Sequence, residues 1–361
     1  MSLSVCMIVR NEEQVLRRSL SAAKCFADEL IVVDTGSEDR TKEIAAEYTG
    51  SVYDLPWKDS FCEARNFSFA KASGDYLMWL DADDLISDEN ISRIRRMKEE
   101  DFGGADVVYT IYRNDTQTGI TDYVMRERMI RRSLHPLWES AVHEAIAVDP
   151  DWKKVYRPDI EITHKKEAVR DPGRNLRILE KCIREGKEFT AHEKVNLCME
   201  LVRAGRDEEA CGLYADMAPF LHGKDAVNAI HFAGPAFYRT NRCAELYRLI
   251  EEVEKKHPPT AQLLFMKGLC LESSGDLKGA AQCYGNACFV PDDPMTMAIV
   301  HTGYRDYFPL LRMAGIAEKN DDRSGALQYL DRAGRNYPEE NGWLIMKIKL
   351  LMEEENKADC L

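Results

Sequence analysis

Apolar residues follow two different rhythms along this chain. Over about the first 165 residues, short continuous apolar runs alternate with stretches of helical spacing. Leu3–Val9 is such a run, closed by Arg10-Asn11-Glu12-Glu13, and a helical pattern through Val15, Leu16 and Leu20 follows it. Glu29–Val33 is the next, closed by Asp34–Thr41, and the segment after Asp39 reads as a helix through Ile44, Ala45 and Tyr48. Val52-Tyr53 reads as a short third strand, and Cys62 to Lys71 as a helix. Gly74 stops that helix before a fourth strand, Tyr76–Leu80, which ends at Asp81-Ala82-Asp83-Asp84. Runs that are apolar on both faces and alternate with helices predict a mostly parallel sheet and an α/β domain. Asp106–Tyr112 and Tyr123–Ile130 read as further strands, suited to antiparallel additions, and Ile160–His164 as a last short one.

After about Asp171 the pattern becomes helix upon helix, with the spacing of a tetratricopeptide unit. From Ala261, the residues Leu264, Gly268, Leu271, Gly275, Ala280, Tyr284 and Ala287 occupy its alternating bulky and small slots. A second copy counts from Tyr307, with Leu310, Ala314, Ala317, Ala326, Leu330, Ala333 and Pro338, and weaker copies start at Ala191 and Asp225. The last interval is longer than the others, so it needs an insertion, placed around Pro291, Pro294 and the residues before Gly303. Such units stack into a curved surface that commonly binds peptides or mediates assembly. Two domains are therefore expected, an α/β domain over 1–168 and a helical tetratricopeptide-like domain over 169–361.

Charge narrows the function. Lys and Arg total 49 against 62 Asp and Glu, a net charge of −13. An acidic chain lacks the basic footprint that nucleic-acid backbones require, yet it can still hold one nucleotide through a metal ion. No run approaches the ~18 apolar residues of a membrane span. The Leu3–Val9 run lacks the basic start and small-residue cleavage site of a signal peptide. The 11 cysteines are odd in number, form no Cys-x-x-Cys pair and mostly sit in apolar patterns, as Cys198, Cys270 and Cys288 do. They read as reduced core thiols, which places the chain in the cytoplasm.

In open parallel sheets, ligands bind beyond the carboxyl ends of the strands. Here those ends carry Arg10-Asn11-Glu12, Asp34-Thr35-Gly36-Ser37 and Asp81-Ala82-Asp83, three polar and mostly acidic groups aimed at one rim. In an extended chain residues i and i+2 point the same way, so Asp81 and Asp83 can face one site. Such a pair suits a hard divalent ion shared with a diphosphate. Alone, Asp-x-Asp is a weak motif, and Asp84 reads equally well as a cap of the following segment.

Several ordered motifs together are more specific. Val5–Glu13, Ile31–Thr41, Ala64-Arg65-Asn66 and Ala72–Asp84 occur in sequence order. In combination they resemble family 2 glycosyltransferases of the GT-A fold, a Rossmann-like nucleotide-diphospho-sugar transferase domain. With the helical repeats, the chain is similar to the subgroup that includes the sublancin S-glycosyltransferase and other glycocin enzymes. Similar domains also serve cell-surface polysaccharide synthesis. The resemblance implies that Val9, the loop Arg10, Asn11 and Glu12, and Asp34 with Ser37 embrace a uridine-type base and ribose. It implies that Arg65 and Asn66 contact base or diphosphate, and that Asp81, with Ala82 beside it, holds ribose or a metal-bound water. Asp83 would ligate Mn²⁺ or Mg²⁺ along with Asp81, and His164 resembles the late metal-binding histidine of these enzymes. The usual Asp-Asp-Gly-Ser is Asp34-Thr35-Gly36-Ser37 here, so the second acidic contact is missing. Trp138–Glu144 resembles the family's His-Glu element, which implies Glu144 as the acceptor's base with His143 supporting it. A tryptophan such as Trp138 can stack on a sugar, although burial is its commoner fate.

No Gly-x-x-x-x-Gly-Lys-Ser/Thr loop and no Gly-x-Ser-x-Gly elbow is present. The Gln-x-x-Arg-Trp element of processive synthases is also missing. The expectation is an inverting, metal-dependent glycosyltransferase that moves a single sugar from a UDP-type donor to a peptide or protein side chain, with a surface glycan the alternative acceptor. The repeats would recruit the acceptor or pair two copies as a homodimer. Two rivals are a repeat scaffold that only senses a nucleotide sugar, and a nucleotidyltransferase that would release pyrophosphate in place of UDP.

Overall fold

The computed structural model describes residues 1–116, 118–165 and 171–358. Two units emerge from the packing: Met1–Asp115 with Tyr123–Glu193, and Thr116–Asp122 with Lys194–Leu361. The change of hydrophobic rhythm near residue 168 therefore precedes the packing division at 193/194.

In the first unit, β1 (Leu3–Val9) is buried almost throughout and is followed by α1 (Leu16–Lys24). Then come β2 (Glu29–Asp34), α2 (Thr41–Ala46), β3 (Val52–Asp54), α3 (Phe61–Lys71), β4 (Tyr76–Trp79), β5 (Asp84–Leu85) and α4 (Asp88–Glu99). The later elements are β6 (Val107–Asn114), β7 (Asp122–Arg131), β8 (Trp138–Glu139), β9 (Ala145–Ile146), β10 (Lys154–His164) and α5 (Arg174–Arg184). The main sheet runs β3-β2-β1-β4-β7-β6-β10-β5. β1 pairs in parallel with β2 and β4, and β2 in parallel with β3, so the strands read as continuous apolar runs form the parallel half. β7 joins β4 antiparallel, as expected. β10 instead runs parallel to β6 and is longer than the predicted Ile160–His164. Its register shifts between Arg157 and Glu161, around Pro158, which lacks the N–H a ladder needs and broke the pattern in the sequence.

The core of this unit joins Leu3, Val5 and Met7 of β1 to Leu16 and Leu20 of α1 and to Ile94 and Met97 of α4. Where β1 meets the approach to β4, a Cβ on Gly74 would lie 2.6 Å from Ser4 Oγ, so only glycine admits this contact. There the Gly74 N–H donates to Ser4 Oγ at 2.8 Å.

The helical unit follows the predicted register closely. α6 (Ala191–Arg203) and α7 (Asp207–Met217) form a first pair, then α8 (Gly223–Arg239) and α9 (Cys243–Glu254), then α10 (Ala261–Ser273) and α11 (Leu277–Ala287). The expected insertion holds a short 3₁₀ turn, Pro294–Thr296, and α12 (Gly303–Asp306). After it come α13 (Phe308–Lys319), α14 (Arg323–Asn336) and α15 (Gly342–Ala358). Repeat starts expected at 191, 225, 261 and 307 thus correspond to helices beginning at Ala191, Gly223, Ala261 and Phe308. The small slots do what the repeat requires. A Cβ on Gly268 of α10 would stand 2.5 Å from the ring of Tyr284, itself fully buried on α11. Gly268→Ala should therefore lower stability by about 1–3 kcal/mol through overpacking, although alanine in an unhindered helix would add roughly 1 kcal/mol. The urea midpoint reads the sign directly, and a rise would contradict the close approach of α10 and α11.

Cys6, Cys198, Cys211, Cys243, Cys270 and Cys288 are buried and unpaired, and no disulfide forms among the described cysteines. Among the described residues no helix is long and apolar enough to cross a membrane.

Candidate active site

The site is assembled at the carboxyl ends of β1, β2 and β4. Asp34, last residue of β2, is 2% exposed. Its Oδ1 accepts from the N–H groups of Gly36 and Ser37 at 3.0 and 2.9 Å. The turn is possible because Gly36 takes a φ of +105°. Asp34 Oδ2 is buried without a partner, an acceptor left open for a ligand's hydroxyl or N–H. The loop after β1 is tied to the same turn. Asn11 adopts a left-handed φ of 55°, donates its N–H to Ser37 Oγ at 2.9 Å and accepts from Glu38 N–H at 2.7 Å. The Glu12 N–H donates to Thr41 Oγ1 at 2.7 Å, and the carbonyl of buried Val9 accepts from Thr35. Thus Val9, Asn11, Glu12, Asp34 and Ser37 form one braced pair of loops, with exposed Arg10 at its edge.

The acidic cluster lies at the end of β4. Ligand atoms of Asp81, Asp83, Asp84 and His164 all come within 4.8 Å of one another. His164 Nδ1 is 3.2 Å from Asp83 Oδ1 and 3.3 Å from Asp84 Oδ1. Burial alone would lower the His164 pKa, but hydrogen bonds to Asp83 and Asp84 overcome this and raise it to about 10. The imidazole is therefore protonated at neutral pH, and a cation arriving there has to displace that proton. Oxygen and imidazole donors converging in this way fit Mn²⁺ or Mg²⁺, and Asp81, Asp83 and His164 keep about a fifth of their side-chain surface open.

Asp84 plays a different part from the cap expected of it. Ser87 caps α4, accepting from the Asn90 N–H at 3.3 Å. Asp84 is fully buried and accepts the Asp81 N–H at 3.0 Å, so it shapes the turn that aims its neighbours. The Tyr112 hydroxyl lies 3.1 Å from Asp81 Oδ2 and 3.0 Å from Asp84 Oδ1, and its one proton is shared between them. The two acids are driven apart. Burial opposes ionisation of both, but Arg65 holds Asp81 well below the usual carboxylate range. Burial and the neighbouring Asp81 raise Asp84.

Arg65 connects this cluster to Glu144. It sits on α3, whose start is a Ser60-x-x-Glu63 box in which Ser60 Oγ accepts from the Glu63 N–H. Its guanidinium is buried between Trp79 and Trp138, at 5.0 and 4.9 Å from their ring centres. Nη2 donates to Asp81 Oδ1 and Nε to Glu144 Oε1, both at 2.7 Å. Arg65 thus fixes the two carboxylates relative to each other. The Asn66 amide exchanges hydrogen bonds of 2.9 and 2.8 Å with the backbone of Trp138 on β8. Trp138 is 3% exposed and packs on Phe69 and Trp79, so its fate is burial. His143 adopts a left-handed φ of 53° immediately before Glu144, whose side chain is 11% exposed. Ala82 is buried between the two aspartates.

Residues 4–148 match the family model for glycosyl transferase family 2. The first unit carries a family 2 glycosyltransferase domain. A TPR repeat-containing protein of Synechococcus elongatus is 34% identical over 170 residues, covering 45% of this chain and 41% of the relative. Glycosyltransferase SunS of Bacillus phage SPbeta is 31% identical over 149 residues, covering 38% of this chain and 33% of the relative. Glucosyl-3-phosphoglycerate synthase from Mycobacterium tuberculosis, solved with Mn²⁺ and uridine diphosphate, is 25% identical, covers 31% of this chain and 44% of that one, and superposes with a TM-score of 0.27. The chain spans less than half the length of these curated relatives.

Behind the candidate site lies a cation that sequence reasoning missed. Arg128 of β7 has no exposed surface and lies over Trp79 at 3.4 Å from its ring centre. Its Nη1 donates to the Trp79 carbonyl at 3.1 Å and reaches Asp84 at 3.4 Å. Arginine in the alternating run Tyr123–Ile130 reads as a solvent-facing position. Its partner Asp84 lies 44 residues away in the chain, so no local pattern signals the pairing.

Proposed function

We propose that this chain transfers a single sugar, with inversion, from a UDP-sugar to a hydroxyl or thiol of an acceptor. One observation carries the reading: Arg65 bonds Asp81, within a convergent Asp-Asp-Asp-His cluster, and Glu144 at 2.7 Å each. That spacing puts a donor-side cation site and a candidate base on two ends of one guanidinium. Asp34 Oδ2 and the loop Arg10–Glu12 would hold ribose and base, while Asp81, Asp83 and His164 would hold Mn²⁺ or Mg²⁺. When bound, the ion supplies positive charge against the diphosphate. Glu144 takes the acceptor's proton as the acceptor's lone pair forms a bond to the anomeric carbon. The bond from that carbon to the diphosphate oxygen breaks, UDP leaves with the electron pair, and the anomeric configuration inverts. Arg65 and Asn66 act by positioning, Arg65 holding Glu144 and Asp81 and Asn66 holding the backbone of Trp138.

The acceptor in this reading is a peptide or protein side chain recruited by the helical repeats, and pairing of two copies through those repeats is not required for this chemistry. Incubation with UDP- and GDP-sugars, a peptide acceptor and Mn²⁺ should release UDP and give a product of opposite anomeric configuration by NMR. Release of pyrophosphate, or retention of configuration, would overturn the reading. Binding without any turnover would favour a nucleotide-sugar sensor.

A further inference from the structure

A cleft of about 360 Å³ opens in the first unit, lined by Arg10, Arg174, Arg177, Lys181 and Arg184 with Trp57 and Ile178. Among the described residues Asp59 and Asp171 are the carboxylates in its wall, so cations outnumber them there in a chain that carries −13 overall. Four of the cations stand on α5 at 174, 177, 181 and 184, spacing that places them on one face over about 15 Å. Arg177 is paired with Asp171, and Lys181 with Asp59 at 2.7 Å. Among the described residues Arg174 and Arg184 show no ion pair within 4 Å: Arg174 rests over the Phe61 ring at 4.8 Å and lies 3.4 Å from Asn175 Oδ1. α5 also starts with arginine and has no acid in its first turn, an unfavourable placement of positive charge at the positive end of a helix. A bound anion would relieve it.

The cleft adjoins the acceptor element. The Phe61 N–H donates to the Ala141 carbonyl at 2.8 Å, three residues before Glu144, and Glu144 acts electrostatically on Arg174. Arg10 of the donor loop lines the same cleft. Resting on the transfer reading, we propose that this cleft binds a phosphate group carried by the peptide or protein acceptor, the cations of α5 holding the phosphate while Trp57 and Ile178 floor its organic part. Phosphate is favoured because a guanidinium fork matches its oxygens bidentately and a dianion satisfies two cations at once.

The test titrates the full chain with glycerol 3-phosphate, by calorimetry, first alone and then with UDP and Mn²⁺ at saturation. Binding should persist when UDP is present, and Arg174→Ala with Arg184→Ala should weaken it by about tenfold or more while leaving UDP affinity unchanged. The single Arg184→Glu, at an exposed position, serves as a second variant, and unchanged melting temperatures establish that both fold. Loss of glycerol 3-phosphate binding once UDP is bound would make the cleft part of the donor site and overturn the proposal. So would unweakened binding in both variants, or equal binding of succinate. Failure of UDP to bind would strike the transfer reading instead, and the titration without UDP would still decide the cleft.

Discussion

Asp83→Asn should reduce Mn²⁺-dependent release of UDP by about 10²–10³-fold, the scale on which a lost electrostatic contact to a developing charge is felt. Asp83 is the residue for this test because it has the least structural work. Its side chain meets His164 at 3.2 Å, whereas Asp84 is buried against Tyr112 and Arg128, and Asp81 anchors Arg65. Replacing either of the latter would disturb the turn or the guanidinium bridge along with any ion. Asp83→Asn keeps the shape and removes the charge, so circular dichroism and the melting temperature should stay near those of the parent. Turnover equal to the parent's would remove Asp83 from the cation site.

Glu144→Gln should lower transfer to the acceptor by about 10²–10⁴-fold, the usual contribution of a positioned general base, with UDP affinity little changed. Glutamine can still accept from Arg65 Nε through its carbonyl, so the bridge to Asp81 survives. That makes the substitution discriminating. If Glu144 served only to seat Arg65, glutamine would keep most of the activity and Arg65→Ala would cost far more. If it takes the proton, glutamine fails although the site is intact. Transfer and UDP binding measured on the same sample separate the two.

Much of this was legible from the residues, and the exceptions share a cause. β1, β2 and β4 were readable because strands buried on both faces carry unbroken apolar runs, and such runs end where the ligand-facing loops begin. The helical repeat was readable because Gly268, Ala280 and Tyr284 obey a steric rule that recurs at fixed spacing. β10 was shortened in prediction because Pro158 and charged neighbours hide a strand that continues through a register shift. In the site, the i, i+2 rule put Asp81 and Asp83 side by side and the resemblance added His164, and these groups converge, but neither gave an account of Asp84, whose role depends on Tyr112 and Arg128 from distant strands. The resemblance implies ligand contact for Arg65, and the structure adds its packing and its ion pairs. Its burial between two tryptophans and its two carboxylate partners arise from residues 14 to 79 positions away in the chain, which no local pattern encodes.

Calorimetric titration of UDP into the parent and Asp83→Asn proteins, with and without Mn²⁺, addresses the central assignment most directly. The account predicts that Mn²⁺ strengthens UDP binding to the parent by at least about tenfold and leaves the variant's binding unchanged. Equal UDP affinity in the parent with and without the ion would contradict it.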